Sequence, residues 1–331
     1  MVRTLGSATV VSALLLAGCG GDLAPQTYQG QTMGTSYRVI ADCLADMTAA
    51  IAEELDLVNG QMSTYLPESE LSRFNRSPGD QWFAVSEPLL DVLSAAQTVS
   101  RASGGALDVT VGPLVNLWGF GPEVMQSATP SAGALVQAKA RVGHARLELR
   151  RQPPGVKKPG EVQVDLSALA KGYGVDRVAE RLQVEGCTDY LVEVGGELRV
   201  RGTNAAGQPW RIGVEVPDPQ QAGGIQRVLS LDGTALATSG NYRNYRVVQG
   251  KRYSHTIDPR TGSPVTHALA SVTVLHESAL WADAYATAIN VLGPEEGWRL
   301  AQSLELPILL IVRRENGYEE RYTARFEPYL L

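Results

Sequence analysis

Between residues 190 and 202 the chain alternates Val192, Val194, Leu198 and Val200 with Glu193, Glu197, Arg199 and Arg201, and Gly195-Gly196 interrupts the alternation at its centre. A period of two is the signature of a half-buried strand, and a glycine pair between two such runs reads as a turn joining them. The same alternation returns at 210–216. Further strands are expected at 226–231 and 234–238, at 242–248 and 251–255 around Gln249-Gly250, and before the tight turn at 258–262. Ser239-Gly240-Asn241 reads as another turn. Hairpins of this kind favour antiparallel pairing over a doubly wound parallel sheet.

Helical periods are mixed in with these strands. At 45–59 Met47, Ile51, Leu55 and Val58 share one face; further helices are expected at 89–103, 132–142 and 279–292. Gly293 closes the last of these, and Pro294 fits the first position of the next helix. Strands are expected at 32–41, 106–113, 146–150, 270–275 and 308–312, a turn-rich loop at 62–75, a loop at 126–130 and an exposed turn at 151–160. The expected class is α+β, with mixed, largely antiparallel sheets and packed helices. A net charge of −6 argues against non-specific nucleic-acid binding, which needs a basic face.

The N-terminus reads as a processing segment. Arg3 precedes an apolar run at 8–16 that is too short to span a bilayer. It ends in Leu16-Ala17-Gly18-Cys19, which resembles the bacterial lipobox. That resemblance implies a signal peptide at 1–18, lipidation of Cys19, a tether at 19–28 and a folded domain at 29–331. An ordinary secretory signal with a chance cysteine is the alternative. An oxidising compartment would permit a disulfide between Cys43 and Cys187; lacking any metal-ligand spacing, both are read as buried small apolar residues.

Four stretches carry candidate chemistry. At 162–174 a short apolar strand with Val162 and Val164 runs into Asp165, a small-residue turn, Lys171 and an amphipathic helix. Helix N-terminal amides and a lysine suit a phosphate; a tight turn with a solvated lysine fits the same residues. Tyr65 suits stacking on a ring or capping a core, and the core is favoured. Asp283 and Thr287 lie four apart, on one helical face among alanines. They are hard oxygen ligands for a cation, or else part of a closely packed helix. His255 ends a strand before a tight turn, a common place for functional side chains.

In order along the chain stand Met-Gly-Thr at 33–35, Ser-Thr-Tyr at 63–65 with Ser-Glu-Leu-Ser-Arg-Phe-Asn at 69–75, Ala-Leu-Asp-Val-Thr-Val-Gly-Pro-Leu at 106–114, and Asp-Leu-Ser-Ala-Leu-Ala-Lys-Gly-Tyr at 165–173. Gly-Gly-Glu at 195–197, Ala-Thr-Ser-Gly at 237–240, His-Thr-Ile-Asp-Pro-Arg-Thr-Gly at 255–262 and Ala-Asp-Ala-Tyr-Ala-Thr-Ala at 282–288 follow. The set resembles the ApbE family of FAD:protein FMN transferases. The departures are minor: Glu193 and Glu197 stand where members often have Asn and Asp or Asn, and Asn241 stands where an acid or serine is common.

The resemblance implies a mixed α+β domain that takes FAD as substrate and moves FMN to a Thr or Ser hydroxyl of an acceptor protein, releasing AMP. It implies FAD contacts at Met33, Tyr65, Ala106, Leu107, Asp108, Asp165, Lys171 and Ile257. It implies Mg²⁺ ligands at Asp283, Thr287 and the Ala168 carbonyl, and catalytic roles for His255 and Asp283. The implied acceptors are flavoprotein subunits of membrane redox complexes, such as sodium-pumping NADH:quinone oxidoreductase and its Rnf-type relatives. The implied place is the periplasmic side of the cell membrane, lipid-anchored, the inner membrane favoured and the outer open. A Mg²⁺-dependent FAD pyrophosphatase and a non-catalytic FAD-binding lipoprotein are the competing readings.

Overall fold

The structure is a computed structural model that describes residues 24–121, 129–218, 221, 223–241, 245–248 and 251–331. The expected signal peptide, Cys19, most of the loop at 126–130 and the turn at Gln249-Gly250 lie outside the described residues.

Eight strands form one sheet, and their order in space is their order in the chain. They are β1 (Gln26–Thr32), β2 (Thr35–Ala41), β3 (Tyr190–Val194), β4 (Glu197–Arg201), β5 (Ala235–Gly240), β6 (Leu269–His276), β7 (Ile308–Arg314) and β8 (Gly317–Tyr322). Every neighbouring pair is antiparallel. The expected α+β architecture is therefore built as a meander whose long connections carry the helices. Between β2 and β3 run α1 (Thr48–Met62), α2 (Glu70–Arg76), α3 (Glu87–Ala102), α4 (Gly112–Leu117), α5 (Ala132–Lys139) and α6 (Ala170–Val184). Between β6 and β7 runs α7 (Ala279–Ser303), broken at Gly293, whose φ of 79° leaves the helical region just before Pro294.

Both faces of the sheet are covered. Ile308, Leu310 and Val312 pack with the helices, while Leu309 and Ile311 pack with Trp210, Ile212, Leu229 and Phe326 beneath a hairpin of Trp210–Glu215 and Ile225–Leu231. A strand buried on both sides reads as a continuous apolar run, as 308–312 does. The β3–β4 hairpin differs from its expected pattern. Its registers set Val194 opposite Glu197 and Val192 opposite Arg199, so both charged residues share the helix-covered face, and Glu197 is 4% exposed.

Several local expectations give way to side-chain hydrogen bonding. The strand expected at 106–113 is a chain of turns, because Asp108 accepts from Thr110 N at 2.8 Å, Thr110 Oγ1 at 2.6 Å and His144 N at 2.8 Å, replacing a ladder. The strand expected at Val162 and Val164 has no partner strand among the described residues. Its place is taken by the Asn75 amide, which donates to Val164 O and accepts from Val164 N, each at 2.8 Å. The strand expected from residue 32 is the second arm of a hairpin: Met33 and Gly34, with φ of 49° and 72°, form its turn. β1 thus takes up residues 26–28 of the expected tether. The 62–75 loop ends in α2, capped by Ser69 Oγ accepting from Ser72 N at 3.0 Å. The stretch 151–160 contains a short strand, Gly155–Lys157, and the buried Lys158, which donates to Asn75 O at 2.6 Å. Ser239 and Gly240 continue β5 instead of turning.

Cys43 and Cys187 are buried, as expected, but they form a disulfide with a Cα–Cα distance of 4.7 Å. Pairing of β2 with β3 sets Ala41 opposite Tyr190, which delivers the two cysteines to the same end of the sheet.

Candidate functional site

The site is built where α6 and α7 cross the face of β3 and β4. A helix start leaves its first amides without intrahelical acceptors. In α6, which has no side-chain N-cap, the Gly172 N–H is taken by Asp283 Oδ2 of α7 at 3.2 Å. In α7 the Ala279 and Leu280 N–H groups are taken by the Asp176 carboxylate of α6, each at 3.0 Å, and the Ser278 hydroxyl donates to it at 2.6 Å. Each helix therefore supplies a carboxylate to the start of the other. The contact is closed by Gly172: a Cβ there would stand 2.3 Å from the Ala279 carbonyl oxygen.

β4 completes the arrangement with two ion pairs of opposite sense. Glu197 Oε2 lies 2.5 Å from Lys171 Nζ, and Arg199 Nη1 donates to Asp176 Oδ1 at 2.8 Å. Burial pushes the Glu197 carboxyl up to about 7 against the opposing pull of Lys171. Burial also raises Asp283, which is 3% exposed, with Lys171 and the Gly172 N–H opposing. Burial pulls the Lys171 ammonium down, but the carboxylates of Asp283, Glu197 and Glu193 outweigh it and hold it above the ordinary lysine value. Two buried acids around one lysine carry a net negative charge when ionised, an environment that favours a cation.

Thr287 lies one turn beyond Asp283, its hydroxyl 3.4 Å from Ser239 Oγ of β5. Ala168 lies in the turn that leads into α6. Among the described residues there is no group of three or more His, Cys, Asp or Glu able to hold a metal. A cation at Asp283 must therefore draw on hydroxyl and carbonyl oxygens. Thr287 and the Ala168 carbonyl are donors of that kind, and the Gly172 N–H, bound to Oδ2, leaves the Asp283 carboxylate spare lone pairs, so the residues fit a hard divalent ion.

The other expected positions are carried by several separate elements. Met33 reaches α6 from the β1–β2 turn, close enough that a Cβ on Gly174 would stand 2.9 Å from its ε-methyl. Asp165 N donates to Val109 O at 2.7 Å, which draws the 106–109 turn against the 165–169 turn. Ala106 and Leu107 are buried. The Asp108 carboxylate is already engaged by Thr110 and His144, and Asp165 Oδ1 accepts from Ser167 N at 2.8 Å. Ile257 is buried against Leu114 in a smaller satellite core. His255 packs edge-on to Phe120, ring centroids 6.4 Å apart, and Trp118 pairs with Tyr253, centroids 5.4 Å apart. Tyr65 does not cap the core: it is 71% exposed, which leaves its ring accessible for stacking.

The sequence assigns Asp176 no role, and marks Glu197 and Arg199 as polar positions of an alternating strand, Glu197 also as part of a motif. The signal was present: a charged side chain on the same strand face as Val192 and Val194 requires a partner once the register is known. A 380 Å³ surface cavity bounded by His276, Glu277, Pro307 and Tyr329 contains none of the candidate residues.

Comparison with known proteins shows the family of this chain. The ApbE family profile matches residues 33–310. A Vibrio cholerae protein called FAD:protein FMN transferase is 44% identical over 328 residues, 97% of each chain. The Escherichia coli K12 protein of the same name is 36% identical over 98% of this chain and 97% of its own. The solved structure of the flavin transferase ApbE from Vibrio cholerae superposes with a TM-score of 0.86 at 42% identity, covering 92% of this chain and 99% of that one. The apo form of the Pseudomonas stutzeri flavinyl transferase ApbE gives 0.85 at 36% identity, with 92% and 96% covered. The chain belongs to the ApbE family.

Proposed function

We propose that this chain transfers FMN from FAD to a Ser or Thr hydroxyl of an acceptor protein, in a Mg²⁺-dependent reaction that releases AMP. The observation that carries the reading is the half-buried Lys171 held with the buried Glu197 and Asp283 at the start of α6, in a chain whose relatives bear the transferase name. The acceptor oxygen forms a bond to the FMN phosphorus, the bond from that phosphorus to the AMP oxygen breaks, and the hydroxyl proton passes to a base. Asp283, Thr287 and the Ala168 carbonyl would hold Mg²⁺, which when bound would supply positive charge to offset that of the pyrophosphate. Lys171 lies at the α6 N-terminus, where its ammonium and the helix amides favour the same anion. Glu197 fixes that ammonium in place. His255 is the first candidate to take the hydroxyl proton, with Asp283 the second. Tyr65, exposed, supplies a ring face for the flavin or the adenine.

The acceptor class proposed is a flavoprotein subunit of a membrane redox complex, of the sodium-pumping NADH:quinone oxidoreductase or Rnf type. We place the mature chain, beginning at Cys19, on the periplasmic side of the cell membrane by a lipid anchor, with residues 1–18 removed. The Cys43–Cys187 pair supports an oxidising compartment.

The test uses the chain from residue 20 onward with FAD, Mg²⁺ and an acceptor domain. A mass gain of one FMN on the acceptor with equal AMP bears the reading out. AMP and free FMN with an unmodified acceptor favour a pyrophosphatase. Bound FAD with neither product favours a flavin-binding protein.

A further inference from the structure

Asp176 lies outside the chemistry proposed above, yet it is one of the most heavily hydrogen-bonded carboxylates among the described residues. It is 6% exposed and accepts from Arg199 Nη1 at 2.8 Å, Ser278 Oγ at 2.6 Å, and the Ala279 and Leu280 N–H groups at 3.0 Å. These donors come from β4 and from the first turn of α7, while Asp176 itself belongs to α6. One side chain thus joins the three elements that carry Glu197, Asp283 and Lys171.

The spacing gives this joint its meaning. Asp176 lies five residues after Lys171 on α6, and Asp283 lies five residues after Ser278 on α7. The two helices are hydrogen-bonded at two points, Asp176 with the 278–280 turn and Gly172 with Asp283, and Gly172 is pressed against the Ala279 carbonyl between them. A helix held at one point can slide or rotate; held at two, it has one register. We infer that Asp176 is a positioning residue, which fixes the α6–α7 register and thereby holds the Asp283 carboxylate at the start of α6, ready for a divalent cation. The cation half of this inference rests on the metal reading given above; the register half does not.

An Asp176→Asn change keeps size and removes the match. An amide has one acceptor oxygen, and its NH₂ would face two of the four donors. The first readout is exchange of backbone amides without ligand. The inference expects faster exchange at 279–280, where Asp176 bonds, and also at Gly172, whose acceptor belongs to Asp283. The second readout is Mg²⁺ binding to the chain without FAD, by calorimetry, and the expected loss is about tenfold, the lower end for groups that orient metal ligands. Leu182→Ala, which removes packing in the core between α6 and β3, is the stability-matched control and is expected to bind Mg²⁺ within twofold of the unaltered chain.

Faster exchange at both places with weakened Mg²⁺ binding in Asp176→Asn alone supports the inference. Faster exchange confined to 278–281, with Mg²⁺ binding unchanged or lowered equally in the Leu182 control, overturns it. If the unaltered chain binds no Mg²⁺, the metal reading fails, and Gly172 exchange then decides the register half in the same two directions. Should Asp176→Asn not fold, Asp176→Glu is read in its place. It keeps the charge but lengthens the joint, and faster-than-native exchange at Gly172 is the supporting result, native exchange the overturning one.

Discussion

Asp283 Oδ2 accepts the Gly172 backbone N–H at 3.2 Å, so the acid proposed to bind the metal also holds the helix that carries Lys171. The contact exists because residue 172 has no side chain. In Gly172→Ala the new methyl would stand 2.3 Å from the Ala279 carbonyl oxygen and 2.9 Å from Asp283 Cβ, both inside van der Waals contact. Overpacking of this kind costs about 1–3 kcal/mol. The expected outcome is a lower denaturation midpoint together with weakened FAD and Mg²⁺ binding; unchanged binding in a destabilised protein would separate the helix contact from the site.

Glu197 gives the folded chain a pH dependence with a defined sign. Its carboxyl is pushed up to about 7 from an unfolded value of 4.5. The folded state therefore holds the proton more tightly, and the associated stability is complete below about pH 4.5 and lost as pH rises through 7. The shift corresponds to about 3 kcal/mol at most, as an order of magnitude. Asp283 shifts in the same direction. Urea midpoints without Mg²⁺ are expected to fall from pH 5 to pH 8, and Glu197→Gln to flatten the fall; a slope unchanged by the substitution would rule Glu197 out as its source.

Asp283→Ala removes the only carboxylate among the three proposed metal ligands. Transfer of FMN is expected to drop by at least about 100-fold, the scale on which a preorganised charge-stabilising group acts. Mg²⁺ binding measured without FAD should be lost in parallel. Full transfer with full metal affinity would refute the scheme.

Tyr65 offers the opposite combination. At 71% exposure it contributes little to the fold, so Tyr65→Ala should alter stability by no more than about 0.5 kcal/mol. Loss of one ring face should weaken FAD binding several-fold, from about 0.5–1.5 kcal/mol of stacking. Fluorescence titration with FAD checks it, and unchanged affinity would remove Tyr65 from the flavin site.

Much of the architecture was legible because it rests on period and turn chemistry. The β3–β4 hairpin, the doubly buried 308–312 strand and the break at Gly293 follow from alternation, a continuous apolar run and a helix-breaking pair. The failures share a cause. At 106–113 and 162–164 the residues are right for strands, but Asp108 and Asn75 supply hydrogen bonds from side chains, and no pattern of hydrophobicity reveals which side chain will do so. Met33 hid a hairpin turn because a methionine with positive φ is uncommon. The candidate site was legible as motifs, whereas Asp176 of α6 and Arg199 of β4 acquire meaning only once the strand register turns Arg199 toward α6.

The disulfide has a bearing on how the chain would survive damage. Cys43 and Cys187 are 144 positions apart, and the segment between them includes Tyr65, Asp108, Asp165, Ala168 and Lys171. That segment is a covalent ring. A protease that cuts it once, anywhere from 44 to 186, opens the ring without dividing the molecule, and both pieces migrate together on a gel until a reductant is added. In a compartment that holds both oxidants and proteases, most of the residues proposed to contact the flavin would stay on one molecule through a single cut.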